Sequence, residues 1–171
     1  NISGGTLSAT VGNYNNTTGT TYIKGNVISD VNISENNVNL TSGTLTLRNG
    51  TFDSINSLTA VGGGLSLINN TIGNTALSNV ILNQTMDLGI DVNLATGFAD
   101  TITAGTVTSA NNSKINISSI NWTDNSSIGE NTRIALMSEA NSALANAISL
   151  GVIQYTHNNK TYNLQTIIED N

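Results

Sequence analysis

The sequence predicts an all-β chain wound as a solenoid, and three observations carry that prediction. Leu45-Thr46-Leu47-Arg48-Asn49-Gly50-Thr51-Phe52 and Leu65-Ser66-Leu67-Ile68-Asn69-Asn70-Thr71-Ile72 match in pattern at an offset of 20 residues, Leu45 to Leu65. Elsewhere too, apolar residues alternate along short runs that end in Asn or Gly, which is the period of a half-buried strand. The composition agrees: Val, Ile, Leu and Thr recur throughout and there is no Pro. A repeat near 20 built from strands is one coil of a stack. No single coil can bury its own apolar face, so each needs a neighbour above and below, and the body is extended along one axis.

Composition also narrows the function classes. At 171 residues the chain fits one domain. Only 9% of residues are charged, against about 25% in ordinary soluble proteins. Asn is the commonest residue, followed by Thr, and Ser is abundant too, so the polar surface is amide and hydroxyl. The net charge is −6, and the five basic residues Lys24, Arg48, Lys114, Arg133 and Lys160 are scattered. Phosphate neutralisation needs clustered cations, so nucleic acid is excluded as a partner. No apolar run approaches the 18 residues of a spanning helix, so no transmembrane span is expected. Zero Cys rules out a disulfide framework. The chain starts at Asn1 without Met or a signal-peptide pattern, as expected of a processed product or an excised piece.

In chain order, Thr6 to Val11 alternates and breaks at Gly12-Asn13, a strand into a turn. Thr20 to Ile23 and Asn26 to Ser29 repeat the idea around Gly25. Val31-Asn32-Ile33 and Val38-Asn39-Leu40 read as two strands separated by the polar cluster Ser34 to Asn37. Counting back one period from Leu47 and Thr51 places Val27 and Val31 beneath them. The corner Gly62-Gly63-Gly64 precedes Leu65; no Lys-Ser or Lys-Thr follows it, so it is a tight turn and not a phosphate cradle. Val80-Ile81-Leu82 continues the stack. In Met86 to Leu94, the residues Met86, Leu88, Ile90, Val92 and Leu94 share the inner face, which puts Asp87, Asp91 and Asn93 on the solvent side. Thr101 to Ala104, Thr106 to Thr108 and Lys114 to Trp122 are further strands by Thr and Ile content. At about 20 residues and about 4.8 Å per coil, the chain makes roughly eight coils and a rod near 40 Å. Stacked Asn residues at the corners are candidates for amide ladders.

The division expected is residues 1–131 as coils and 132–171 as a closing unit. Thr132 to Met137 reads as one more strand. The Ala-rich stretch at about 138–150 has apolar residues at helical spacing, Ser138 as N-cap and Gly151 as the terminal Gly. Val152 to His157 and Lys160 to Ile167, joined by Asn158-Asn159, read as a hairpin. Helix and hairpin together would cover the open edge of the last coil.

The blocks Ile90 to Ala95, Ala99 to Ile102, Lys114 to Trp122, Thr132 to Leu136 and Tyr155 to Leu164, taken in that order with the helix before the hairpin, resemble the late passenger region of bacterial autotransporter-type surface adhesins. The likeness covers about half of the chain, Met86 to Leu164. It implies a right-handed parallel β-helix, export to the cell surface in association with the outer membrane, and an adhesive or structural role. The family's cleavable leader and membrane barrel have no counterpart in the sequence.

Candidate chemistry is sparse. Asp87 and Asp91 have the makings of a carboxylate pair for glycosidic work, but the plainer reading is two solvated residues on a strand face, and on it Asp91→Asn is nearly silent. Asp91, Asn93 and Asp100 have oxygens to offer Ca²⁺. The glycine-rich nonapeptide of calcium-binding rolls is absent, so no metal site is predicted, and no cofactor either. His157 is the single His and has no nucleophile-elbow motif beside it. Tyr22, Trp122, Tyr155 and Tyr162 are candidates for a sugar platform, but core filler or end caps is the plainer reading. Sequons such as Asn32-Ile33-Ser34 follow from the composition.

The expected function is therefore non-enzymatic: a segment of a cell-surface adhesin or surface-structural protein, with a glycan or protein of a host or neighbouring cell as its partner. Two alternatives stay open. A polysaccharide-acting lyase or hydrolase of the pectin-lyase-like type requires acidic and basic residues to converge. A filament subunit would associate end to end with copies of itself.

Overall fold

The structure, a computed structural model, describes residues 1–7, 13–53, 55–127, 134, 142–157 and 159–165. Among the described residues fourteen strands and one short helix make it predominantly β. The chain alternates between two parallel sheets. One holds β1 (Gly5–Leu7), β3 (Val27–Ser29), β5 (Thr44–Leu47), β7 (Gly64–Ser66), β9 (Met86–Asn93) and β12 (Ile115–Trp122), in that spatial order. The other holds β2 (Asn13–Ile23), β4 (Asn32–Leu40), β6 (Ser57–Ala60), β8 (Asn74–Leu82) and β11 (Thr101–Ser109). A two-residue strand, β10 (Phe98–Ala99), folds back antiparallel on the end of β9.

Like residues meet along both sheets. Val27 pairs with Leu45, Leu45 with Leu65, Leu65 with Leu88 and Leu88 with Ile117. On the second sheet Val38, Leu58, Val80 and Val107 follow one another, beside Leu40, Ala60 and Leu82. Nearly all of these side chains are buried in one continuous cluster, Val107 at its margin. Burying a Leu side chain contributes about 1.5–3 kcal/mol, so each rung is held chiefly by the rungs on either side of it.

The predicted pairing of Leu45 with Leu65 is present, but the register of Val27 is not the one expected. Val27 lies beneath Leu45, and Ser29 beneath Leu47, because the interval from β3 to β5 is two residues shorter than that from β5 to β7. The corner residues account for the short turn. Gly25 (φ 69°) and Gly43 (φ 67°) sit one above the other, and a Cβ on Gly43 would fall 2.3 Å from the carbonyl carbon of Gly25. Later intervals lengthen, with Leu65 paired to Leu88 and Leu88 to Ile117. Among the described residues six parallel strands stand in one sheet and five in the other, fewer than the eight coils expected.

The polar cluster Ser34 to Asn37 does not interrupt the sheet. β4 runs through it with Ile33, Glu35, Val38 and Leu40 buried, so the inward period of two contains a single step of three. The same step recurs between Leu77 and Val80 in β8 and between Ala104 and Val107 in β11, and those residues are register partners. One extra residue turns a strand so that both of its halves present apolar side chains inward. These stacked bends divide the second sheet into two facets.

At the far end α1 (Ser142–Ala147) packs on β11 with Leu144 and Ala147 buried. It is shorter than the predicted helix; Ser138 lies outside the described residues. Gly151 is not its terminal residue, because Ile148 leaves the helix to bridge Ile115, and the Ser149 backbone N–H donates to the Ile115 carbonyl at 2.7 Å. Pairing with a sheet edge satisfies the helix end without a glycine. The Lys114 Nζ completes it by donating to the Asn146 carbonyl at 2.7 Å. The expected hairpin is present as β13 (Val152–His157) and β14 (Lys160–Gln165), with Asn159 at φ 59° in its turn. The strand expected at Thr132 to Met137 lies outside the described residues except for Ile134, which is not in a strand and packs against the core.

Candidate functional site

The acidic residues singled out in the sequence separate in space. Asp87 is exposed on β9, and the Asn116 amide donates to it at 2.8 Å from the next rung. Asp91 is fully buried, which corrects its expected solvent-side placement. The alternation of β9 ends at Gly89, beyond which every residue to Val92 is buried. Its outer side is covered there: a Cβ on Gly89 would meet Ser119 at 2.7 Å and Ile68 at 3.1 Å.

The segment 68–73, which connects the two sheets, is tied down by carboxylates. Asp91 Oδ2 accepts the backbone N–H groups of Asn69 (2.6 Å) and Asn70 (2.7 Å), with Asn70 at φ 67°, while Oδ1 accepts from the Asn121 amide. Asp100, buried and just ahead of β11, accepts the Gly73 N–H at 2.8 Å through Oδ1 and the Asp91 N–H at 2.7 Å through Oδ2. Burial pushes the Asp100 carboxyl up to about 6, against the lowering pull of those two N–H donors and with the neighbouring Asp91 carboxylate adding to the rise. Two adjacent carboxylates thus clasp one loop to two strands. Sequence reasoning missed this role, since it depends on which loop folds over which strand.

Of the three Ca²⁺ candidates, Asp91 and Asp100 adjoin, whereas Asn93 closes a turn by accepting from the Thr96 N–H at 2.9 Å and hydroxyl at 3.0 Å. The carboxylate oxygens of the pair face N–H groups, which present positive charge where a cation would need to sit. Among the described residues no group of three acidic or His side chains is gathered. Among the described residues the acidic and basic candidates do not converge in one groove either. A groove lined by Gly50–Phe52, Thr71 and Gly73–Thr75 takes in Asp100 alone of the candidate acids, and Arg48 pairs instead with Asp30 on the surface.

His157 ends β13 opposite Lys160 in the hairpin. The aromatics do not form one platform. Trp122 and Tyr155 meet edge to face with centroids 5.1 Å apart, joining the last strand of the stack to the hairpin. Tyr162 lies across the hairpin from Tyr155, and Tyr22 stands exposed at the opposite end of the second sheet. Gly62–Gly64 form the expected corner, where a Cβ on Gly64 would meet the Asp87 carbonyl oxygen at 2.9 Å.

Polar ladders run along the outside. Asn37 donates to Thr20 at 3.3 Å, Asn79 donates to the Asn56 carbonyl at 2.9 Å, and the Thr106 hydroxyl donates to Asn79 at 2.5 Å. At corners the Asn amide oxygen instead accepts a backbone N–H of the next coil, Thr44 on Asn26 and Thr51 on Asn32, both at 3.1 Å. Among the described residues no helix is long and apolar enough to cross a membrane. Comparison with protein-family models, with curated proteins and with solved structures finds no match.

Proposed function

We propose that this chain is a stretch of a right-handed parallel β-helix from an extracellular, cell-surface adhesin or surface-structural protein, and that it acts by binding and display with no catalytic chemistry. The observation that carries the reading is the one-way succession of parallel rungs in both sheets, apolar inside and amide- and hydroxyl-bearing outside. A stack of this kind is stiff along its axis and repeats its outer groups at each rung, which suits it to contact extended surfaces. The resemblance of the later blocks to autotransporter passenger regions points the same way. Its partner in this reading is a glycan or protein on a host or neighbouring cell.

Beads coated with the chain test the proposal when they are applied to bacterial and eukaryotic cell layers and to a glycan array. Retention above that of beads coated with an unrelated acidic β protein is the expected result. Equal retention on every surface overturns the adhesive reading.

A further inference from the structure

The facet of the second sheet that follows the stacked bends is formed by residues 20–23, 37–40, 57–60, 79–82 and 106–109, and none of these is Asp, Glu, Lys or Arg. Two outward columns cross it. In the column nearer the bend, the Thr20, Asn37, Asn79 and Thr106 side chains are hydrogen-bonded to protein groups through the ladders already described. The other column runs Tyr22, Asn39, Thr59, Ile81 and Thr108, each the register partner of the next. Its inward neighbours Thr21, Ile23, Val38, Leu40, Leu58, Ala60, Val80 and Leu82 are buried, which fixes the orientation. Among the described residues the Tyr22, Asn39, Thr59 and Thr108 side chains make no hydrogen bond with the protein.

The column therefore carries amide and hydroxyl groups unspent within the fold, an aliphatic group at Ile81, and an aromatic ring at Tyr22 that is 43% exposed. All are held by backbone pairing at a repeat of about 4.8 Å, so little ordering remains to be done on binding. A sugar ring has the same two-sided character, with C–H faces that pack on an aromatic or aliphatic group and hydroxyl edges that exchange hydrogen bonds. The missing charge selects among glycans: an anionic polymer finds no cation here, and a basic one no carboxylate. We propose that the strip from Tyr22 to Thr108 binds a linear, uncharged polysaccharide laid along the axis of the stack. This rests on the adhesive reading above and gives that surface its ligand class.

The test is calorimetric titration of the full chain with neutral linear oligosaccharides of glucose, mannose and galactose at increasing length, with polygalacturonate as the anionic arm. Affinity for a neutral oligomer is expected to rise with length until it spans the five rungs, roughly 20 Å, and to be insensitive to salt. Tyr22→Ala and Thr59→Lys are expected to lower it at least tenfold, while Thr46→Ala on the other sheet leaves it unchanged. Both strip positions point outward, so folding is checked by an unchanged thermal midpoint. Binding of no neutral oligomer overturns the proposal, as does equal loss on Thr46→Ala, or a preference for polygalacturonate that salt abolishes. If wild-type and Tyr22→Ala beads adhere to cells equally, the strip is overturned while adhesion stands. If neutral oligomers bind as expected but wild-type beads adhere to nothing, the strip stands and the adhesive reading falls.

Discussion

Asp91 and Asp87 look alike in the sequence, two acids four apart on one strand, yet their environments differ in kind. Asp87 meets solvent and one amide, whereas Asp91 is buried with backbone N–H groups of Asn69 and Asn70 on one oxygen. Replacing a carboxylate by an amide there weakens charge-assisted bonds and turns one acceptor into a donor. Asp91→Asn is accordingly expected to cost about 1–3 kcal/mol in urea unfolding, and Asp87→Asn to fall within about 0.5 kcal/mol of wild type. Asp100 carries a pH dependence whose sign follows from its raised pKa. The folded state binds this proton more tightly than the unfolded chain does, so the contribution is complete below about 4 and is lost as pH rises through about 6. Urea midpoints for wild type and Asp100→Asn across that window measure it. The stability of wild type relative to the variant should fall as pH rises from 4 to 6.

At the scale of the element, the glycine turns between strands decide the register. Gly43 stands directly over Gly25, both with positive φ, so the backbones approach where no side chain fits. Gly97 also has positive φ (75°), but nothing lies within 4 Å of where its Cβ would be. An Ala at either site meets the left-handed penalty of about 1–2 kcal/mol, and only at Gly43 must the neighbouring coil also move. Gly43→Ala is expected to lower the thermal midpoint clearly more than Gly97→Ala; equal shifts would mean that the corner is not tightly stacked. Within strands, β4 shows how a polar run deceives. Ser34 to Asn37 carries no apolar residue, but Glu35 falls on the inward period set by Ile33 and is buried against Thr21, whose hydroxyl donates to it at 3.0 Å. The period of two was there to be read; the polarity of the residue filling it hid the strand.

For the molecule as a whole, each strand of the two parallel sheets is covered by its neighbours, so the sheet ends matter most. At the end formed by β11 and β12, α1 and the hairpin lie over the stack through Leu144, Ile148 and the Trp122–Tyr155 contact. Leu144→Ala leaves a cavity beneath the helix and is expected to cost about 2–5 kcal/mol. It is also expected to bring concentration-dependent association on a sizing column as the strand edges become available. Loss of stability with a strictly monomeric elution would show that the helix does not guard the edge.

The sequence by itself determined the strand-rich composition, the meeting of Leu45 with Leu65, the glycine corners and the terminal hairpin, because each is written in local period, in turn chemistry or in a repeat of fixed length. The coil lengths, the bends that split the second sheet, the burial of Asp91 and Asp100 and the uncharged facet were decided only by the tertiary structure. A residue's exposure in these sheets depends on what the next strand and the loop beside it lay across it. Those partners lie some 18 to 30 residues away along the chain, at separations that change from one turn to the next, so no local pattern reports them.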